Sequence, residues 1–266
     1  HSEYSITDSI VRIKPLIKAA AADNQQALAL TDLSNLYATV KFYRGCLNAG
    51  IKPIIGSEVI MDDEDTRLTL LAMDNEGYQN ITRIVSLGFT EGRADPANHG
   101  TPIVKRSDIL AHAAGVIVLF TEKSDVGQAL IGSMPERADE LLVEWQAKFA
   151  DRLYFAIKRT NRSGEDAFIQ AAIHAGAKHQ LPIIAHNDVR FLEQEDFDAH
   201  EARVCIAGSY VLADANRPRL YSDEQYLKTQ AQMQQLFADI PQVIDNTIRL
   251  ATRCNVTLTL GINVLP

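Results

Sequence analysis

Ala27-Leu-Ala-Leu-Thr-Asp32 and Pro53-Ile-Ile-Gly-Ser-Glu58 are short apolar runs that each end in polar residues, and a helical pattern at 36–48 separates them. Neither run shows the in/out alternation of a half-solvated sheet, so both suit parallel strands covered on two faces. Asp32, Ser34 and Asn35 are capping types ahead of Leu36, and Gly50 follows Val40, Tyr43 and Leu47 as a stop. Working outward, the unit recurs. Strands are expected at 27–30, 53–61, 68–73, 116–120, 153–157 and 181–185, and helices at 10–22, 36–48, 78–89, 139–149, 165–179 and 197–207. Six strands, with one more just ahead of His1, fit a distorted TIM-like βα barrel better than an open sheet. Residues 216–266 read as mostly helical, with Ser222 capping 223–227 and an amphipathic stretch at 243–254. Residues 62–65 and 92–102 read as surface loops, which gives one α/β domain over 1–266, its last residues beginning a link onward. The start at His1 without methionine reads as a fragment of a longer chain.

Composition bounds the function. With 266 residues, 46% hydrophobic and 23% charged, the chain can bury a substantial core. No run of about 18 apolar residues exists and no basic segment leads into an apolar one, which argues against a membrane span or signal peptide. Cys46, Cys205 and Cys254 are odd in number and set in apolar segments, so they read as reduced thiols of a cytosolic protein. The net charge of −8 argues against a domain that grips nucleic acid by itself, because duplex affinity comes largely from cationic side chains.

Ligands in parallel α/β folds sit at the carboxyl ends of the strands, and there the chain places His1, Asp8, Asp32, Glu58 and Asp188. Carboxylates and imidazole on strand-end loops are donors for divalent metals. The plainer use of Asp8 and Asp32 is helix capping, and each lone residue reads first as structural. His174 and His179, five apart, do not share a helix face. His99 and His112 read as surface or helix-end residues, and His186 and His200 as core histidines. Trp145, Phe42 and Tyr43 read as helix-face packing. No G-x-S-x-G, Walker A or G-x-G-x-x-G motif is present.

Taken in order, His1-Ser-Glu-Tyr-Ser5, Leu30-Thr-Asp-Leu-Ser-Asn35, Lys52-Pro-Ile-Ile-Gly-Ser-Glu58, Asn75-Glu-Gly-Tyr-Gln-Asn80, His186-Asn-Asp-Val-Arg-Phe191, Asp198-Ala-His200, Leu236-Phe-Ala-Asp-Ile-Pro241 and Arg253-Cys-Asn-Val256 resemble the PHP (polymerase and histidinol phosphatase) domain of bacterial DNA polymerase III alpha subunits, in its gammaproteobacterial form. Each motif is weak alone, but the set is specific and spans essentially the whole chain. The resemblance implies a distorted seven-stranded βα barrel whose active members hold divalent metals at the strand carboxyl ends. By that resemblance His1 matches the second histidine of the family's H-x-H motif, Asp8 the next carboxylate, Glu58 the bridging glutamate and Asp188 a late aspartate. Four further ligand positions carry Leu33, Arg67, Glu122 and Arg190. Leucine donates nothing to a metal and arginine cannot lose its proton to do so.

The expectation is therefore a silent site with no cofactor, in which Arg67 and Arg190 pair with Asp8, Glu58 and Asp188. The implied role is a scaffold that docks the proofreading exonuclease (epsilon) subunit, meets DNA only through the remainder of the polymerase chain and touches no membrane. The alternative is a residual phosphoesterase, a 3′-5′ exonuclease or pyrophosphatase, with one divalent Mg, Mn or Zn ion at His1, Asp8, Glu58 and Asp188. A free-standing histidinol phosphatase relative is disfavoured by the polymerase-type motifs.

Overall fold

The computed structural model describes residues 1–63, 65–214 and 216–261. Glu64 of the acidic loop and the expected link at 262–266 lie outside the described residues. In chain order the elements are α1 (Ile13–Ala22), β1 (Ala27–Leu33), α2 (Thr39–Asn48), β2 (Lys52–Met61), β3 (Arg67–Ala72), α3 (Asn75–Leu87), β4 (Ile103–Val104), α4 (Arg106–Ala111), β5 (Val116–Phe120), α5 (Asp125–Ile131), α6 (Pro135–Phe149), β6 (Leu153–Ile157), α7 (Glu165–His179), β7 (Ile183–Ala185), α8 (Phe197–Gly208), α9 (Gln230–Leu236) and α10 (Gln242–Arg253). The seven strands form one curled, mixed sheet, a half-barrel of order β1-β2-β3-β5-β6-β7, with β4 beside β2.

Parallel pairing of β1 and β2 sets Asp32 opposite Ser57 and Leu33 opposite Glu58, so the polar ends of both strands emerge together. β5, β6 and β7 also run parallel to one another. β3 corrects the all-parallel expectation, since it is antiparallel to β2 and to β5. Only residues 62–66 separate β2 from β3, whereas a parallel return needs a crossover of about a dozen residues or more. The reversal puts Arg67, the first residue of β3 and opposite Ile60 of β2, at the end where the parallel strands finish.

Burial follows from the uniformly apolar strands. One face of the sheet, with Leu68, Leu70, Val116, Val118, Phe120, Phe155 and Ile157, packs under the helices around Trp145, Phe149 and Phe168. The other face, with Ile54, Leu71, Ile117, Leu119, Tyr154 and Ile184, closes against Leu250 and Cys254. α1 and α2 cover β1 through Ile13, Ile17, Phe42 and Cys46. Trp145 meets Phe120 edge-on at 5.7 Å and donates its Nε1 hydrogen to Asp125 Oδ2 at 3.0 Å, so the ring is core and its polar edge is satisfied. All three cysteines are free and buried.

Other expectations are corrected. A two-residue strand, β4, joins the six expected ones within the sheet, and the side of the half-barrel between β1 and β7 is covered by the segment 1–11, tied down by Ile10 N–H to Arg190 O at 3.0 Å. Neither Asp8 nor Asp32 caps a helix: α1 starts after Arg12 and α2 after Ala38, with no side-chain cap at either. Residues 223–227 form no helix, because Tyr226 bridges to Phe191 instead. Among the described residues, no helix is long and apolar enough to cross a membrane.

Candidate functional site

Asp32 organises the site without joining its charges. At 2% exposure it accepts from Ser2 N–H at 2.5 Å, Ser2 Oγ at 2.7 Å and Ser5 Oγ at 2.7 Å. Ser9 Oγ reaches both His1 O and Arg190 O at 3.0 Å. These hydroxyls fasten the start of the chain, with its single 3-10 turn at Glu3–Ser5, between β1 and the exit of β7, and so carry His1 and Asp8 to the strand carboxyl ends. Asp188, just past β7, takes a left-handed backbone with φ 42°, a conformation that Asp tolerates better than most residues.

Two groups of charge meet there. In the first, His1, Asp8 and Glu58 each offer a ligand atom within 4.8 Å of the others. His1 Nδ1 is 3.2 Å from Asp8 Oδ2, and Arg67 Nη1 lies 3.1 Å from that oxygen and 3.2 Å from Glu58 Oε1. Arg190 Nη1 stands 3.4 Å from Asp8 Oδ2 and touches His1 Nδ1. The Tyr221 hydroxyl donates to the other oxygen of Asp8. In the second group, Lys158 Nζ bridges Glu122 Oε1 at 2.7 Å and Asp188 Oδ2 at 2.8 Å, while Gln225 Nε2 donates to Asp188 Oδ2 at 3.0 Å. Arg190 Nη2, 2.6 Å from Asp188 Oδ1, joins the two groups.

Of the residues singled out from the sequence, the structure brings together His1, Asp8, Glu58, Arg67, Arg190 and Asp188, with Glu122 reached through Lys158. Asp188 stands outside the triad of close ligand atoms. Leu33 offers only backbone, its N–H donating to Ser5 Oγ at 3.0 Å. His200 is fully buried, with Nε2 at 3.0 Å from Asp8 O, and packs edge-on to Tyr221 at 4.6 Å. Sequence reasoning missed Lys158, Tyr221 and Gln225. Lys158 directly follows β6, the same polar-after-apolar signal that marked Asp32, and was legible. Tyr221 and Gln225 lie in an aperiodic segment that carries no such signal.

Electrostatics follow from enclosure and pairing. Burial alone would raise the Asp188 carboxyl, but Arg190 and then Lys158 outweigh it and hold it well below its ordinary 3.8. Asp8 is likewise lowered, against its burial, by Arg190, Arg67 and the Tyr221 hydrogen bond. Glu122 is lowered because Lys158 overcomes its desolvation. Lys158 is raised, since Asp188 and Glu122 more than offset burial. Burial lowers His186, with Lys158 adding to the effect, and the ring's Nε2 has no partner. Asp8, Glu122 and Asp188 are thus stabilised in the ionised form by the arginine and lysine side chains beside them.

A family model described as "PHP domain" matches residues 1–160. The chain is 42% identical to the DNA polymerase III subunit alpha of Pseudomonas aeruginosa and 40% identical to that of Escherichia coli, each over 272 aligned residues that cover 100% of this chain. It spans 23% of the length of either relative. Among solved structures, an amidohydrolase from Chromobacterium violaceum aligns with a TM-score of 0.45 at 16% identity, over 75% of this chain and 94% of that one.

Proposed function

The chain belongs to the PHP domain family, in the branch carried by DNA polymerase III alpha subunits, and from that premise we propose that it is a catalytically silent scaffold of the replicative polymerase that docks the proofreading exonuclease subunit. One observation carries the reading: guanidinium nitrogens of Arg67 and Arg190 stand 3.1 to 3.4 Å from the Asp8 oxygen that a metal would need. A divalent ion among His1, Asp8 and Glu58 would meet two permanent cations at contact distance, and neither guanidinium can give up its proton to become a ligand. The donor set therefore does not fit the family's metals. Its carboxylates serve as anchors for arginine and lysine, and the geometry they fix is that of the strand ends and of the segments crossing them.

Docking is supported by apolar side chains left open on α8 and the segment after it. Ile206 is 81% exposed, Val211 69%, Leu220 48%, Leu212 46% and Tyr210 45%. Apolar side chains gathered on one surface segment mark interaction sites in soluble proteins. In this reading the protein works in the cytosol, and DNA reaches it only through the rest of the polymerase chain.

Elemental analysis of purified protein is expected to find fewer than one tightly bound zinc or manganese ion per chain, and titration with the exonuclease subunit to show binding that Ile206→Asp with Val211→Asp weakens about 10-fold or more. Two or more tightly held ions would sink the silent-site reading; no association would sink docking. The phosphoesterase alternative keeps one point in its favour, the close ligand atoms of His1, Asp8 and Glu58. Metal-stimulated release of nucleotide, abolished by Glu58→Gln, would establish it.

A further inference from the structure

Between α8 and α9 the chain crosses the carboxyl-end pocket without forming a helix or a sheet strand among its described residues. Its fastenings are mostly polar. Arg217 Nη1 pairs with Glu201 of α8 at 2.5 Å, and at the far end Gln230 N–H donates to Asp23 Oδ2 at 2.8 Å. Between these ends, polar side chains reach down into the pocket. The Tyr221 hydroxyl donates to Asp8, Ser222 Oγ to Thr160 O at 2.5 Å, and Gln225 Nε2 to Asp188 Oδ2 at 3.0 Å.

Gln225, only 1% exposed, is the best defined of these. Its Oε1 accepts from Ser222 N–H at 3.0 Å while its amide hydrogens face the Asp188 carboxylate. Flipping the amide would set oxygen against carboxylate, so the charge of Asp188 fixes its orientation. Backbone bonds then follow the side chain: Arg190 N–H to Gln225 O at 2.8 Å and Leu227 N–H to Leu192 O at 3.2 Å. Leu220, 48% exposed, and the exposed Arg219 precede Tyr221 in the chain.

We propose that residues 216–229 form a hinged strap whose closed position over the pocket is latched by the pocket's own carboxylates, Asp8 holding Tyr221 and Asp188 holding Gln225. The vestigial acids thereby acquire a mechanical task, and strap position and pocket charge bias one another reciprocally. Opening is a local event, drawn from the low-stability end of the structure, because the strap is held by hydrogen bonds, ion pairs and the Tyr221 ring on His200 and adds no residue to the apolar core clusters.

The test uses the intact chain with Tyr221→Phe, which removes one latch bond, and Gln225→Glu, which sets a second carboxylate against Asp188. Amide hydrogen exchange at Arg190 and Leu227 and trypsin cleavage after Arg219 are followed together. Both variants are expected to speed all three about 10-fold or more, the loss of one hydrogen bond to a charged acceptor, while amides of β5 and β6 exchange as before. If either variant leaves these readouts unchanged, or if exchange rises equally in β5 and β6, the strap is part of the global fold and the proposal is overturned.

Discussion

At 2% exposure the Arg190 guanidinium has no bulk water to neutralise it, so it depends on Asp188 at 2.6 Å and Asp8 at 3.4 Å, and they depend on it. Arg190→Ala leaves two enclosed carboxylates without their shared cation and is expected to cost about 3–5 kcal/mol, read as a lowered urea midpoint. Arg67 touches Asp8 and Glu58, but its side chain is 22% exposed and water screens it, so Arg67→Ala is expected to cost clearly less. Equal costs would contradict the weight given to enclosure.

The same residues set the acid response. Asp8, Asp188 and Glu122 are depressed in the folded state, so the stability they add is complete above their ordinary values of 3.8, 3.8 and 4.5 and is lost as pH falls through the lower folded ones. His186 and His200 are depressed below 6.5, chiefly by burial, so the unfolded chain takes up protons first and stability already declines below that value. Urea midpoints should therefore fall in two stages on acidification, one beginning near pH 6.5 and a steeper one near pH 4. A flat profile between about pH 7 and pH 4 would contradict the histidine part.

Among the elements, the seating of α3 on the start of β5 depends on the absence of two side chains. A Cβ on Gly77 would overlap the Gly115 carbonyl oxygen, and Gly115 itself sits at φ +66° beside Asp74. Asp74 Oδ1 caps α3 by accepting from Gly77 N–H at 2.9 Å, and Asn80 Nδ2 donates to Ala114 O at 2.8 Å, so the helix cannot slide away to make room. Gly77→Ala is expected to lower stability by about 1–3 kcal/mol in a chemical melt, the usual range for overpacking. Most strands and the longer helices were legible in the sequence because uniform apolar runs and 3.6-residue periods report burial directly, whereas α4 and α5, at six and seven residues, span too few turns to show a period and were missed. Strand direction was not, since an apolar run reads alike both ways; the short 62–66 connection held that information and outranks the pattern. β4, two residues long, is too short for any period to mark.

For the molecule as a whole, the site was legible only as far as chain order could carry it. Strand-end position named His1, Asp8, Glu58 and Asp188, and the family resemblance added Arg67 and Arg190, whereas the contributions of Lys158, Tyr221 and Gln225 depend on where a curled sheet and an irregular crossing bring distant positions. Asp32 drew attention as a polar strand end, yet its use is to receive the Ser2 and Ser5 hydroxyls, a role visible only once the chain's first residues are placed. The enclosed network also has a long-range consequence. Arg67, Lys158 and Arg190 are interleaved with Asp8, Glu58, Glu122 and Asp188 at ion-pair distance, so these charges offset one another at close range. Potential from so interleaved an array dies away within a short distance. A polyanion nearing the pocket is thus expected to meet the chain's net negative charge without a compensating pull from within.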